Sequence, residues 1–239
     1  MVYDKDIGMW HKKNYSNYLI SDCYKNKYFF DSSGRVKNNY KYDDTKKDII
    51  IIGDSKIEGL QIENQSVVHN ALYREIQGQY NVLNYGLAGT GPAQHLEILK
   101  NKVDLTNTKT LLHFVFLEND LNDSDPNNLD GVNRPKVYLD FKDNMTFDVI
   151  KPKKYDFKEK LRDFIGNFEI YVYLKKTFYY YKTIFFDTRQ AETSNKDRKM
   201  HYTISNEKFK FKQLQGAIYQ INKLALDYDF SYHIFFFSS

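Results

Sequence analysis

The sequence predicts an α/β protein built on a doubly wound parallel sheet. Three observations carry this. Four short apolar runs of strand length recur along the sequence, helical stretches separate them, and the first three end in turns of small polar residues. Strands alternating with helices indicate parallel strands covered on both faces, with right-handed crossovers.

The first run is Asp48-Ile49-Ile50-Ile51-Ile52-Gly53, four consecutive β-branched residues bounded by a charge and a glycine. That composition reads as a strand buried on both faces. A helix is expected over 63–79, where Val67, Val68, Ala71, Leu72 and Ile76 recur at helical spacing. The second strand is Asn81–Gly86. After Gly89-Thr90-Gly91-Pro92 a helix runs to about Val103, with Pro92 suited to its first turn. The third strand is Thr110–Leu117. Residues 122–156 read as loop, because Asn, Asp, Pro and Gly cluster there. Residues 157–186 read as a strongly aromatic helix, and 187–204 as a second polar loop. An amphipathic helix over 205–228 follows, with Phe209, Leu214, Ile218, Ile221, Leu224 and Ala225 as its apolar stripe. Tyr232–Phe237 is the fourth strand. The layering expected is three-layer and flavodoxin-like, with a helical aromatic-rich insertion at about 122–204. Residues 1–47 are polar and Tyr-, Asn- and Lys-rich without a clear period. They read as a lead-in segment to a domain over 48–239, with a turn at Phe30–Arg35.

Bulk properties narrow the function classes. The 239 residues suit one larger α/β domain, and 41% hydrophobic residues allow a sizeable core. Thirty-five basic against 31 acidic residues, scattered along the sequence, give no concentrated basic face, so no nucleic-acid partner is expected. The run Lys151, Lys153, Lys154 reads as a solvated loop. Cys23 stands alone, which rules out an internal disulfide and a cysteine-rich metal site. No metal cluster and no cofactor motif are visible. Neither a signal-peptide core nor a membrane-length apolar run occurs, so the protein is expected to be soluble.

Three motifs can carry chemistry, one after each of the first three strands. In such sheets, sites collect at the C-terminal strand ends. Gly53-Asp54-Ser55 places a hydroxyl on a tight strand-to-helix turn beside backbone N–H groups; as a plain turn it needs only a capping side group. In Asn84-Tyr85-Gly86-Leu87-Ala88-Gly89-Thr90-Gly91, glycine lets backbone N–H groups approach a ligand. The same loop can be structural, and a phosphate cradle lacks the lysine-serine pair of a P-loop. Leu117-Glu118-Asn119-Asp120 offers the Asn119 amide as a donor and Asp120 to fix the turn; Asn-Asp is also an ordinary turn pair. Together the three bring a hydroxyl, a backbone N–H and an amide N–H to one sheet edge, the set that ester cleavage needs.

The order Gly-Asp-Ser, Asn-x-Gly-x-x-Gly, x-x-Asn-Asp over residues 48–237 resembles the SGNH (GDSL-like) hydrolases. The resemblance implies Ser55 as nucleophile, with oxyanion donors from the Ser55 N–H, the Gly89 N–H and Asn119. Gly53, Asp54 and Asp120 would support them. Glu118 departs from the family's usual glycine, and Lys56 follows the serine where the family varies. The fourth block, Asp-x-x-His, is missing: none of the six histidines, at 11, 69, 95, 113, 201 and 233, has Asp three residues before it. The expectation is therefore truncation at the C-terminal side, ahead of the catalytic histidine. Loss of a triad member costs on the order of 10⁴–10⁶ in rate, while an oxyanion hole alone keeps roughly 10³–10⁴ over water. As 239 residues the protein is expected to be nearly inactive. Substitutes for the histidine are His95, and His201 with Asp197; His113 and His233 read as packed in strands.

The substrate implied is a small acyl ester or an acylated carbohydrate, acetyl included. A polysaccharide O-acyltransferase of the same fold uses the same residues, and a non-catalytic binding domain of this fold is the alternative from another class. The aromatic stretch Phe157–Phe186 reads as a lid, a packed helix or an interfacial helix.

Overall fold

The computed structural model describes residues 1–21, 24–124, 135–142, 146–152 and 195–238, with side chains of the last segment from 208 onward. The aromatic stretch 157–186, Cys23 and the side chains of Asp197 and His201 lie outside the described residues. The protein divides into two compact units, Met1–Lys153 with Phe209–Ser239, and Lys154–Lys208. The site lies in the first.

Four strands form the central sheet: β5 (Asp48–Ile52), β6 (Asn81–Asn84), β7 (Thr108–Phe116) and β10 (Ser231–Phe237), in the order β10-β7-β5-β6. All three pairings are parallel, with Ile51 opposite Asn84, Ile52 opposite His113 and Phe237 opposite Phe116. The α/β class is therefore as expected. The isoleucine run of β5 alternates between two cores. Ile50 and Ile52 face α3 (Pro92–Lys102) and α5 (Asn195–Tyr228) through Leu96, Leu99, Ala217 and Ile221. Ile51 and Ile49 face α1 (Ser55–Glu58) and α2 (Val68–Glu75) through Ile57, Val68 and Leu72. Both faces of the first strand are dry, which is why its sequence is continuous rather than alternating. No described helix is long and apolar enough to cross a membrane.

Several elements differ from the sequence reading. The helix expected over 63–79 is a 3₁₀ turn at Asn64–Ser66 followed by α2, because Val67 is extended (φ −61°, ψ 142°) between them. Gln77 and Gly78 both take positive φ (52° and 65°) and stop the helix before β6. Residues 1–47 are more than a lead-in. They form two antiparallel hairpins, β1 (Val2–Asp4) with β2 (Gly8–Trp10), and β3 (Tyr15–Ser21) with β4 (Tyr24–Phe30). Ile7 and Trp10 are buried in the main core, and Gln94 Nε2–H on α3 donates to the Ile7 carbonyl at 2.9 Å. The turn expected at Phe30–Arg35 is present: Asp31 Oδ1 accepts from the Ser33 and Arg35 N–H groups.

The segment read as loop at 122–156 carries the hairpin β8 (Tyr138–Phe141) with β9 (Phe147–Ile150). Gln213 on α5 clamps it, its Oε1 accepting from the Leu139 N–H at 2.7 Å and its Nε2–H donating to the Leu139 carbonyl at 2.6 Å. A buried amide satisfied on both atoms adds specificity without an unpaired polar cost. The strand β7 continues directly into α4 (Leu117–Asp123), so Asn119 and Asp120 sit on a short helix rather than an open turn.

Candidate active site

The sequence order of the four sheet strands is second, first, third, fourth across the sheet. α1 and α2, which follow β5, pack on one face of the sheet, and α5, which precedes β10, packs on the other. At such a switch point the strand ends open into a crevice. The motif after β5 and the motif after β7 meet there.

Asp54 begins the single turn of α1. Its Oδ1 accepts from the Lys56 N–H at 2.9 Å, a capping bond, and its Oδ2 accepts from Asn119 Nδ2–H at 2.6 Å. Asp54 is fully buried, and Asn119, reaching it from α4, is exposed. Burial pushes the Asp54 carboxyl up, and the Lys56 N–H and Asn119 amide pull against it. Ser55 follows as the first residue of the helical turn, half-buried. A residue in that position has no acceptor for its N–H inside the helix. Among the described residues neither the Ser55 N–H nor its Oγ is engaged in a hydrogen bond.

The loop after β6 is held between the other two motifs. Asn84 organises its start: its Oδ1 accepts from the Gly86 N–H at 2.8 Å, and its Nδ2–H groups reach the Ile57 carbonyl (2.7 Å) and His69 Nδ1 (3.2 Å). A bare Nδ1 there means that His69 is neutral, and burial lowers its pKa to about 4. Gly86 lies against the backbone of α1, where a Cβ would come within 2.6 Å of the Ile57 carbonyl carbon and closer still to the Glu58 nitrogen. Gly91 lies against α4, where a Cβ would meet Ser124 Oγ and come within 2.7 Å of the Asp120 carbonyl. Between these clamps Gly89 is half-buried with φ +71°, and among the described residues its N–H has no hydrogen-bond partner.

Asp120 closes the floor. Its Oδ2 accepts from the Phe116 N–H at 3.0 Å, while its Oδ1 is buried without a partner. Burial raises its pKa to about 8, helped by the Asp54 charge and opposed by the Phe116 N–H. Asp120 therefore carries a proton at neutral pH. The third acid nearby, Asp123, is paired with Lys136 at 2.7 Å. Lys56 extends over the ring of Phe116, 4.1 Å from its centroid.

Gly53, Asp54, Ser55, Asn119 and Asp120 thus come together, with the Gly89 loop wedged beside them. No family model, no curated protein and no solved structure matches this sequence. The function of the arrangement follows from its own chemistry. It offers a hydroxyl and two backbone N–H groups that no other described residue engages, plus an exposed amide whose orientation is fixed through one of its two N–H bonds. Among the described residues no group of three His, Cys, Asp or Glu side chains is placed to hold a metal ion.

The histidines are arranged in ways the sequence did not reveal. His11, from the N-terminal segment, is buried against α1: its Nδ1–H donates to the Gly34 carbonyl at 2.8 Å, and its Nε2 lies 2.5 Å from Glu58 Oε1. One proton must lie between these last two atoms. Phe30 stacks on the His11 ring, centroids 3.9 Å apart. His95, a candidate substitute base in the sequence, is fully buried between Thr90 and His113. His113 is equally buried, and His233 is exposed on β10.

Proposed function

We propose that this protein is an SGNH/GDSL-like serine ester hydrolase acting on a small acyl ester, acetyl esters of carbohydrates included. The single observation that carries the reading is the Asn119–Asp54 hydrogen bond at 2.6 Å. It ties the third motif to the residue before the nucleophile, across 65 positions of sequence. The strand order, second-first-third-fourth, is that of flavodoxin-like sheets, and Ser55 and Asn119 follow the two strands that flank its switch point.

In this reading Ser55 Oγ adds to the carbonyl carbon of the ester. The carbonyl oxygen becomes an oxyanion and accepts from the Ser55 N–H, the Gly89 N–H and the second N–H of Asn119. Collapse of that intermediate breaks the bond to the alcohol, which leaves with a proton, and the acyl group stays on Ser55. Donors fixed before reaction need no reorganisation as charge develops. Among the described residues His11, His69, His95 and His113 are held by other partners, so none of these four takes the serine proton, and its transfer to solvent suffices for a single acylation.

The test is therefore stoichiometric. Incubation with p-nitrophenyl acetate is expected to leave an acetyl group on Ser55, read by peptide mass spectrometry. Ser55→Ala abolishes it, and Asn119→Ala slows it by about 10²–10³. Unlabelled Ser55 in the folded protein, or equal rates with and without the Asn119 amide, overturns the proposal. That outcome favours the second reading, a non-catalytic binding domain of the same fold, whose supporting observation is that four of the histidines are committed elsewhere. Addition of a glycan acceptor to the labelled protein separates acyl transfer from hydrolysis.

A further inference from the structure

Four side chains from four different elements stand in single file beneath the Gly89 loop. Thr90 Oγ–H donates to the Leu87 carbonyl at 2.6 Å. His95 Nε2 lies 3.1 Å from Thr90 Oγ, His95 Nδ1 lies 3.0 Å from His113 Nε2, and His113 Nδ1 lies 3.0 Å from the Tyr232 hydroxyl. Thr90, His95 and His113 are 1%, 0% and 0% exposed. Tyr232 comes from β10, His113 from β7, His95 from α3 and Thr90 from the loop itself.

The direction of the file follows from its last member. Thr90 spends its hydroxyl proton on Leu87, so toward His95 it can only accept. His95 must then carry its proton on Nε2 and present a bare Nδ1. That lone pair takes the Nε2–H of His113, whose own bare Nδ1 takes the Tyr232 O–H. Every member donates toward the loop, and both rings are neutral. Burial works the same way: it depresses both imidazoles, His113 to about 3, and raises the Tyr232 phenol so that it stays a donor. No charged group from β7, β10, α3 or the loop contributes; beyond burial, only His113 acts on His95.

We propose that Tyr232, His113, His95 and Thr90 are positioning residues: a one-way hydrogen-bond relay that holds the Leu87–Thr90 turn closed and so aims the Gly89 N–H. The turn spans Gly89 at φ +71°, one of several conformations glycine reaches without strain, so the bond from Thr90 to the Leu87 carbonyl selects among them. An acceptor at the Leu87 carbonyl and a donor at Thr90 bracket it, and the two rings anchor that bracket to the sheet. The relevance to oxyanion binding rests on the ester-cleavage reading above; the hydrogen-bond relay and its hold on the turn do not.

The experiment is nuclear magnetic resonance on the full-length protein with ¹⁵N-labelled histidine and backbone. At about pH 7, His95 and His113 are both expected as neutral rings with Nε2–H and bare Nδ1. Tyr232→Phe deletes one oxygen, and its effect is expected to travel: the ring nitrogens of His113 and then His95 shift, and the Gly89 amide moves although it lies on another element. Thr90→Val removes the far end and is expected to shift the Gly89 amide resonance at least as far as Tyr232→Phe does. Either ring found as Nδ1–H or protonated, or a Tyr232→Phe effect confined to His113 with Gly89 unmoved in both variants, overturns the proposal. If the ring signatures and shifts are present while wild-type Ser55 is never acetylated, the turn-holding role stands and the ester-cleavage reading alone falls.

Discussion

Asp120→Asn is the most informative single change, because it isolates one buried carboxyl at the candidate site. Asp120 is fully buried, with a pKa of about 8 against an ordinary value of 3.8. The sign follows from proton counting. Between pH 3.8 and 8 the folded protein holds a proton on Asp120 that the unfolded state has released. Stability from this group is greatest below 3.8 and is lost as pH rises toward 8. The loss is about 1.4 kcal/mol per pH unit inside that window, or about 2.7 kcal/mol between about pH 5 and 7. Asparagine keeps an acceptor for the Phe116 N–H and has no proton to lose. Any cost of placing its NH₂ where Asp120 Oδ1 has no partner is the same at every pH. His69 and His113 pull in the opposite direction. Their pKa values fall to about 4 and about 3 in the fold, so their stability is present above about 6.5 and lost as pH drops below it. That slope is common to both proteins and cancels in the difference. Urea unfolding of the two proteins at about pH 5, 6 and 7 should therefore show the variant gaining about 2–3 kcal/mol on the wild type as pH rises. A difference that stays constant with pH refutes a protonated Asp120.

Glu58→Ala leaves buried His11 without the partner of its Nε2, and the loss is expected at about 3–5 kcal/mol, a fall in Tm of roughly 6–20 °C. A fall below about 1 kcal/mol shows that the pair is not a buried linkage of the N-terminal segment. Gly86→Ala drives a Cβ into the α1 backbone, which yields far less readily than a flexible side group. It is expected to cost about 1–3 kcal/mol or more in urea unfolding and to slow Ser55 acetylation, whereas an unchanged midpoint refutes the close packing of the two loops.

The central strands and the loops that follow them were legible because their causes are local. Ile49–Ile52 reads as a strand from its own composition, since four β-branched residues in a row, bounded by a charge and a glycine, suit a strand dry on both faces. Glycine and small polar residues after β5, β6 and β7 mark turns by their own backbone preferences, so Ser55, Gly89 and Asn119 could be placed at one edge from the residue order. The break at Val67 escaped because its neighbours keep helical periodicity across it. The α4 helix escaped because Asn-Asp is as good a turn pair as a helix start, and the Asp120 bond to the Phe116 N–H decides between them.

What the amino-acid order alone determined is the alternation of strands and helices and the residue types delivered to each strand end. Which atoms meet there was decided only in the fold. Asp54 meets Asn119 across 65 residues, His11 meets Glu58 across 47, and Tyr232 meets His113 across 119. Such bonds leave no period and no local composition in the sequence. They exist because the fold brings distant segments to hydrogen-bonding distance, where a buried polar atom without a partner costs about 1–3 kcal/mol.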